Sequence, residues 1–248
     1  MKWSDLVEKF KQDIHIKSYE CDAKGQLRLR SLFNFFQDIA DKHASHIGVG
    51  YEYCLKNNVG WISGGYHIQI KKVPLWNMKI CLTTWPSKAQ GATAFREFLL
   101  TDTQTGDVLI QASSQWVLLD AVRQRPTSVL PHLAHCEPIL ERCIDTSFPK
   151  LPVLERIDYQ QNEIIRTDDI DLNQHVNNAV YPALIYDALP VAFKENHMLS
   201  EIQIQYKNPA HFGEKIVVQT QLNDKNGLHL ITNDSQTIEY VRLCTHWQ

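Results

Sequence analysis

The chain has 248 residues, 44% of them hydrophobic and 21% charged, the balance of an ordinary globular protein with material for one large core or two small ones. Its formal net charge of −3 gives no footprint for bulk nucleic-acid binding. No stretch approaches the ~20 apolar residues of a membrane span, and residues 1–15 have the make-up of neither a signal peptide nor a transit peptide.

In chain order, the first half opens with a strand over 14–19 and a turn around Asp22-Ala23-Lys24-Gly25. Leu32, Phe35, Phe36, Ile39 and Ala40 then recur at helical spacing, which predicts a helix from an N-cap at Ser31 to about position 46, stopped at Gly48. Alternating apolar residues predict strands over 66–70, 80–85 and 95–100. A hairpin turn follows over 102–107, with Thr105-Gly106 in it, and then strands over 108–112 and 115–119. Pro126, Pro131, Pro138, Pro149 and Pro152 mark the stretch 125–152 as a linker region. The second half repeats the order: a strand over 163–166, a polar turn, a helix over 178–189 ended by Pro190, then strands over 202–206, 215–220, 228–232 and 238–245.

One internal match is specific. Segments 67–80 and 203–216 each read as strand, proline-marked corner, aromatic, turn and strand. The pattern predicts an α+β fold of two tandem copies, each a long helix packed on a curved antiparallel sheet. The N-terminal repeat is expected over 1–130, a linker over 131–155 and the C-terminal repeat over 156–248. Two such copies can pair edge to edge, which removes exposed sheet edges. The six cysteines, Cys21, Cys54, Cys81, Cys136, Cys143 and Cys244, show no CxxC spacing, which points to a reducing, cytoplasmic setting. His132, His135 and Cys136 could bind a metal in principle, but they stand without a partner cluster and are read as structural.

The segment Asp171-Leu172-Asn173-Gln174-His175-Val176-Asn177-Asn178 says most about chemistry. It sets a carboxylate, an amide and an imidazole at alternate positions just before an apolar, helix-like stretch. In an extended segment such residues share one face, so Asp171, Asn173 and His175 are expected to converge on one pocket. Between them they offer a base, a hydrogen-bond donor for a developing oxyanion, and a group able to do either. Asn177 and Asn178 are read as helix caps and scaffold. Pro182 is tolerated if the helix starts near Asn178.

With these residues in view, the chain resembles the acyl-acyl carrier protein thioesterases, which fuse two hotdog folds in one chain. The resemblance spans nearly the whole sequence. It rests on Ser18-Tyr19-Glu20-Cys21-Asp22-Ala23-Lys24-Gly25, Gly60-Trp61-Ile62, Thr84-Trp85-Pro86-Ser87, Phe95-Arg96-Glu97-Phe98 and Arg125-Pro126 in the first half. In the second half it rests on the 171–178 motif followed by Tyr181. It implies hydrolysis of the thioester between a fatty acyl chain and the phosphopantetheine of acyl carrier protein, with Asp171, Asn173 and His175 catalytic by motif match. The family typically carries a further acid, often followed by Cys, beyond the next strand. Here that stretch reads Tyr206-Lys207-Asn208-Pro209-Ala210, so neither acid nor thiol is available there. Glu214 lies nearby in sequence, but the role is not transferred to it.

Asp171 is the choice for activating water or attacking directly; His175 for positioning water, polarising the carbonyl or protonating the thiolate; Asn173 for the oxyanion or for orienting Asp171. Backbone N–H groups at the start of the second helix can add to the oxyanion site. The first repeat has Lys24-Gly25-Gln26 in place of the polar set and is expected to shape an acyl tunnel, while Phe33, Phe35 and Phe36 are read as core. An acidic carrier protein would meet basic residues, for which Lys71, Lys72, Arg123, Arg125 and Lys207 are candidates. Water and protein groups suffice, so no metal or organic cofactor is implied. Exposed sheet edges suggest a homodimer. Competing readings are an acyl-CoA thioesterase, a hotdog dehydratase, which the Asn-x-His-Val-Asn-Asn pattern argues against, and a non-catalytic acyl-binding protein.

Overall fold

A computed structural model of the chain describes residues 8–134 and 136–248. Strands dominate it. The first half contributes β1 (Phe10–His15), β2 (Val59–Ile70), β3 (Lys79–Gln90), β4 (Thr93–Asp102), β5 (Val108–Asp120) and the two-residue β6 (Arg125–Pro126). The second contributes β7 (Tyr159–Ile164), β8 (Leu199–Tyr206), β9 (Lys215–Asn223), β10 (Asn226–Asn233) and β11 (Glu239–Trp247). Among the described residues they form one sheet in the order β1-β3-β4-β5-β2-β8-β11-β10-β9-β7, with β6 beside β5. Every pairing in it is antiparallel. The helices are α1 (Leu29–His46), α2 (Tyr51–Asn57), α3 (Leu130–Leu133), α4 (Val180–Ala188) and α5 (Val191–Asn196).

The halves join at β2 and β8, where Gly65 pairs with Gln205 and Gln69 with Glu201. Any Cβ on Gly65 would strike the Ile204 carbonyl oxygen, so the approach of the two strands requires glycine there. His67 Nε2 meets Glu201 Oε1 across the seam at 2.6 Å. One face of the sheet receives α1 and α4. Phe33 and Phe36 on α1 are 0% exposed and pack on Tyr66 and Phe98, with Phe36 and Phe98 ring centroids 4.6 Å apart. Burying each such ring contributes about 1.5–3 kcal/mol. On the second half, Tyr181 packs on Tyr206 and Tyr186 on Trp247.

The opposite face carries the connection between the halves. Fully buried Glu97, one position from Phe98 and hence pointing the other way, accepts Arg142 Nε (2.7 Å), the Cys143 N–H (3.0 Å) and the Ser87 hydroxyl (2.6 Å). Further on, Gln205 Nε2 donates to the Pro149 carbonyl at 2.7 Å and Arg242 Nη1 to the Leu151 carbonyl at 3.1 Å. The proline-rich stretch is therefore strapped to the sheet.

Several predicted boundaries move. The strand expected over 14–19 ends at His15, because Glu20 Oε2 takes the Lys17 N–H at 2.7 Å and curls Ser18–Glu20 into a 3₁₀ turn. Ser31 is not the cap: α1 starts at Leu29, and the Ser31 hydroxyl donates to the Glu20 carbonyl at 2.9 Å. The two strands expected over 108–119 are the single strand β5. The strand expected at 163–166 lies earlier, as β7, and Arg166 opens a second 3₁₀ turn, Thr167–Asp169. The helices α2 and α5, of 7 and 6 residues, were not foreseen, being too short to show a helical period. Among the described residues no helix is long and apolar enough to cross a membrane.

Candidate active site

After the Thr167–Asp169 turn the chain reverses. Ile170 and Val176 form an antiparallel bridge. The Asp171 N–H donates to the His175 carbonyl at 2.8 Å, and the Gln174 N–H to the Asp171 carbonyl at 3.0 Å. Gln174 adopts φ 61°, the left-handed conformation that so tight a reversal needs. Asp171 Oδ1 accepts the N–H groups of Asn173 (2.8 Å) and His175 (3.4 Å), as in an Asx turn. Its Oδ2 lies 3.4 Å from Asn173 Nδ2. This corrects the extended-segment argument. A hairpin with Asn173 at its tip brings the Asp171 and Asn173 side chains together, while His175 is tied to Asp171 through its backbone. Asp171 and His175 are half-buried, and Asn173 is exposed.

Tertiary contacts hold the hairpin. The Val176 N–H donates to the Ala210 carbonyl at 2.9 Å, and the Asn177 N–H to the Asp169 carbonyl at 2.8 Å. Asn177 Oδ1 accepts the Ala179 N–H (2.8 Å) in an Asx turn ahead of α4, and also Gln37 Nε2 (3.0 Å); the N-cap itself is Ala179, without a side-chain cap, so neither Asn177 nor Asn178 is the cap expected. Asn178 supplies a carbonyl for the Tyr206 hydroxyl at 3.0 Å. Pro182 is the third residue of α4, where no N–H is needed. From α1, Arg30 reaches Asp169 Oδ1 (3.1 Å) and the Asp168 carbonyl (2.7 Å). The first half therefore clamps the motif of the second.

Sequence reasoning missed three residues here: Arg30, Gln37 and His211. The first two lie on the polar side of α1, and nothing in their spacing marks them. His211 sits two residues past Pro209 on the loop between β8 and β9, and its ring meets His175 edge to face, centroids 5.0 Å apart at 74°. Nearby, the Tyr181 hydroxyl accepts the Ala210 N–H at 3.1 Å. Burial pushes the Tyr181 phenol up to about 12, and Glu214 and Asp171 push it the same way, so it stays a neutral hydroxyl. Glu214 is engaged elsewhere, its Oε2 accepting the Tyr240 hydroxyl at 2.6 Å.

The first half builds the same reversal with other side chains. The Asp22 N–H donates to the Gln26 carbonyl (2.8 Å), the Gly25 N–H to the Asp22 carbonyl (3.0 Å), and the Leu27 N–H to the Pro74 carbonyl (2.9 Å). Asp22 Oδ1 accepts the N–H groups of Lys24 (2.8 Å) and Gln26 (2.9 Å). Lys24, Gln26 and Leu75 thus occupy the places of Asn173, His175 and His211.

Other histidines serve structure. His43 and His229 are fully buried, and burial pushes both imidazoles down to about 3, in His43 with the help of the Arg96 guanidinium. His132 Nδ1 meets the Tyr53 hydroxyl at 2.9 Å, while His135 of the same segment lies outside the described residues. Among the described residues no cluster of three or more His, Cys, Asp or Glu is gathered as a metal site would require.

Comparison with known proteins places the family and the fold. The chloroplastic acyl-[acyl-carrier-protein] hydrolase of Cuphea viscosissima is 26% identical over 88% of this chain and 60% of its own length. An oleoyl-acyl carrier protein thioesterase of Arabidopsis thaliana is 26% identical over 94% of the chain and 72% of its own length. The chain spans little more than half the length of most of the plant relatives it matches. Among solved structures, an acyl-ACP thioesterase from Bacteroides thetaiotaomicron superposes with a TM-score of 0.87 at 18% identity, covering 100% of both chains. The 12:0-ACP thioesterase of Umbellularia californica gives 0.86 at 23% identity, covering 97% of each. The α+β tandem hotdog architecture is thus shared. Residues 7–136 match the family model for the acyl-ACP thioesterase N-terminal domain and residues 156–248 that for the C-terminal domain, and the chain belongs to the acyl-ACP thioesterase family.

Proposed function

We propose that this chain is a thioester hydrolase that releases free fatty acid from fatty acyl-acyl carrier protein, with Asp171, Asn173 and His175 as its reacting side chains. The observation that carries the reading is the second hairpin: the first keeps its backbone but has Lys24 in place of the Asn173 amide and Gln26 in place of the His175 imidazole. Family membership supports the substrate class. The two family segments support the division into repeats over 1–130 and 156–248 with a connection over 131–155.

The chemistry follows from what each atom has left to do. Asp171 Oδ1 is occupied by two backbone N–H groups, which leaves Oδ2, steadied by Asn173 Nδ2, to take a proton from water. The water oxygen bonds to the thioester carbon, and the carbonyl electrons move onto oxygen. That oxyanion is met by N–H donors: the Asn173 amide and the His175 ring. Collapse breaks the C–S bond, the sulfur leaves with the electron pair, and the proton taken from water goes to the thiolate. Acid and thiol are the products.

Lys71, Lys72, Arg123, Arg125 and Lys207 are all exposed and are the proposed contacts for an acidic carrier protein. The cytoplasmic setting belongs to the same reading and is supported by six free cysteines. A homodimer is supported by β1 and β7, each paired on one side among the described residues.

The test is thiol release from acyl-acyl carrier proteins of several chain lengths, beside the matching acyl-CoAs, by wild type, Asp171→Ala and His175→Ala. Turnover of carrier-protein substrates that collapses in both variants is the expected result. Preference for CoA moves the assignment to an acyl-CoA thioesterase. Bound acyl ligand without any hydrolysis overturns the enzyme reading.

A further inference from the structure

We propose that His211 is the positioning residue that orients the His175 ring. The proposal rests on the thioesterase reading above. An imidazole that acts on a substrate needs a third group to hold its ring. Among the described residues no side chain hydrogen-bonds a ring nitrogen of His175; its ring is met by that of His211. At the point where an acid is expected, Pro209 has neither carboxylate nor N–H, and Ala210 is fully buried. The next residue along is His211.

Its loop is well placed to hold a ring still. The Ala210 carbonyl takes the Val176 N–H at 2.9 Å, tying the loop to the motif itself. The Ala210 N–H is bonded to the Tyr181 hydroxyl at 3.1 Å, the Gly213 N–H to the Ile165 carbonyl at 3.1 Å, and the Glu214 N–H to the His211 carbonyl at 3.2 Å. Gly213 sits at φ 78°, which closes the turn. Edge-to-face packing of the two rings then restricts the orientation of His175. The other half supplies an internal control. There the loop makes the same bond to its hairpin, from the Leu27 N–H to the Pro74 carbonyl, yet the facing residues are Gln26 and Leu75. Both imidazoles occur in the half with the motif, and neither occurs in the half without it. Backbone architecture does not account for that difference.

Steady-state thiol release by wild type, His211→Leu, His211→Phe and His211→Gln tests the proposal. His211→Leu installs the residue that the first half already carries at this place. It is expected to lower kcat about three- to tenfold while KM changes less than about twofold. His211→Phe keeps the edge-to-face ring and is expected to recover most of kcat. An unchanged kcat in His211→Leu overturns the proposal, as does recovery by Gln but not by Phe, which would assign His211 a polar contact with substrate. Ring resonances of ¹⁵N-labelled histidine, with His175 assigned by His175→Gln, give a readout that needs no turnover. The His175 signals are expected to shift in His211→Leu and to stay put if the rings do not touch, which overturns the proposal. If wild type hydrolyses no thioester while the His175 signals respond, the thioesterase reading falls and the orienting contact stands.

Discussion

In each half a 3₁₀ turn leads into a hairpin closed by an aspartate. Asp22 and Asp171 accept corresponding pairs of backbone N–H groups, and each hairpin leans on the loop that follows the next long strand. A left-handed residue closes each, Gly25 at φ 72° and Gln174 at φ 61°. What differs is the outward side chains: Lys24, Gln26 and Leu75 in one half, Asn173, His175 and His211 in the other. The comparison separates architecture from chemistry within one molecule. Asp171 has a structural reason to exist whether or not it touches substrate. Asn173, His175 and His211 have no counterpart in the architecture, and function is to be sought in them first.

The strongest way to break this comparison is to make the halves alike. Asn173→Lys combined with His175→Gln gives the second hairpin the side chains of the first. The turn's backbone bonds and the Asp171 carboxylate are untouched, so the fold is expected to persist by near-UV circular dichroism. The kcat/KM for acyl-acyl carrier protein should fall about 1,000-fold or more. Retained turnover would mean that the reacting groups lie elsewhere.

Acid should next expose a liability common to both halves. His43 and His229, one in each half, are held neutral by burial, with values pushed down to about 3. The unfolded chain takes up these protons near the ordinary imidazole value of about 6.5. Stability is therefore full above that pH and falls as pH drops from it toward 3. Thermal melts from neutral to acid pH should show this decline, and His229→Gln should make it shallower. A pH-independent Tm between 7 and 4 would contradict the buried neutral assignment.

Removing each aspartate sharpens the division of labour. Asp22→Ala and Asp171→Ala should each lose about 1–3 kcal/mol in urea unfolding, because each leaves two turn N–H groups without their carboxylate. Only the second should abolish turnover. Equal activity in the two variants would reduce Asp171 to a turn former.

The smallest effect concerns backbone strain. Gln174→Gly should stabilise by about 0.5–1 kcal/mol, whereas Gly25→Ala should destabilise by a similar amount. A Cβ at Gly25 meets only Trp76 Cβ, at the ordinary distance of 3.8 Å, so strain and not collision is what this pair measures.

Much of the fold was legible because strand alternation and proline-marked corners are local signals. The match of 67–80 to 203–216 correctly paired the loops that carry Leu75 and His211. Boundaries failed where a side chain reached back to the backbone. Glu20 curls a 3₁₀ turn out of a segment read as strand, and Asp169 takes the N–H of Arg166, the expected last strand residue, to open the polar turn. At the site, the expected extended face is replaced by a hairpin that joins the Asp171 and Asn173 side chains and holds His175 by its backbone. Alternation argued for an extended face, while Asp171, a turn former, folded the segment on itself. Arg30 and Gln37 were invisible because their partners, Asp169 and Asn177, lie 139 and 140 residues away.

The amino-acid sequence by itself determined the duplicated strand–helix–strand order, the apolar faces that make each half bury a helix on a sheet, and the hairpin-forming aspartate in each. These follow from short-range sterics and periodicity, which act within a few residues. The outward side chains of the two hairpins were also legible, Lys24 and Gln26 against Asn173 and His175; only the tertiary structure decided what surrounds them. It did so by packing α1 against the second hairpin and bringing the loop between β8 and β9 beneath it, so that His211 meets His175. Such encounters depend on how separate faces are buried together, a property of the assembled sheet that no local pattern encodes.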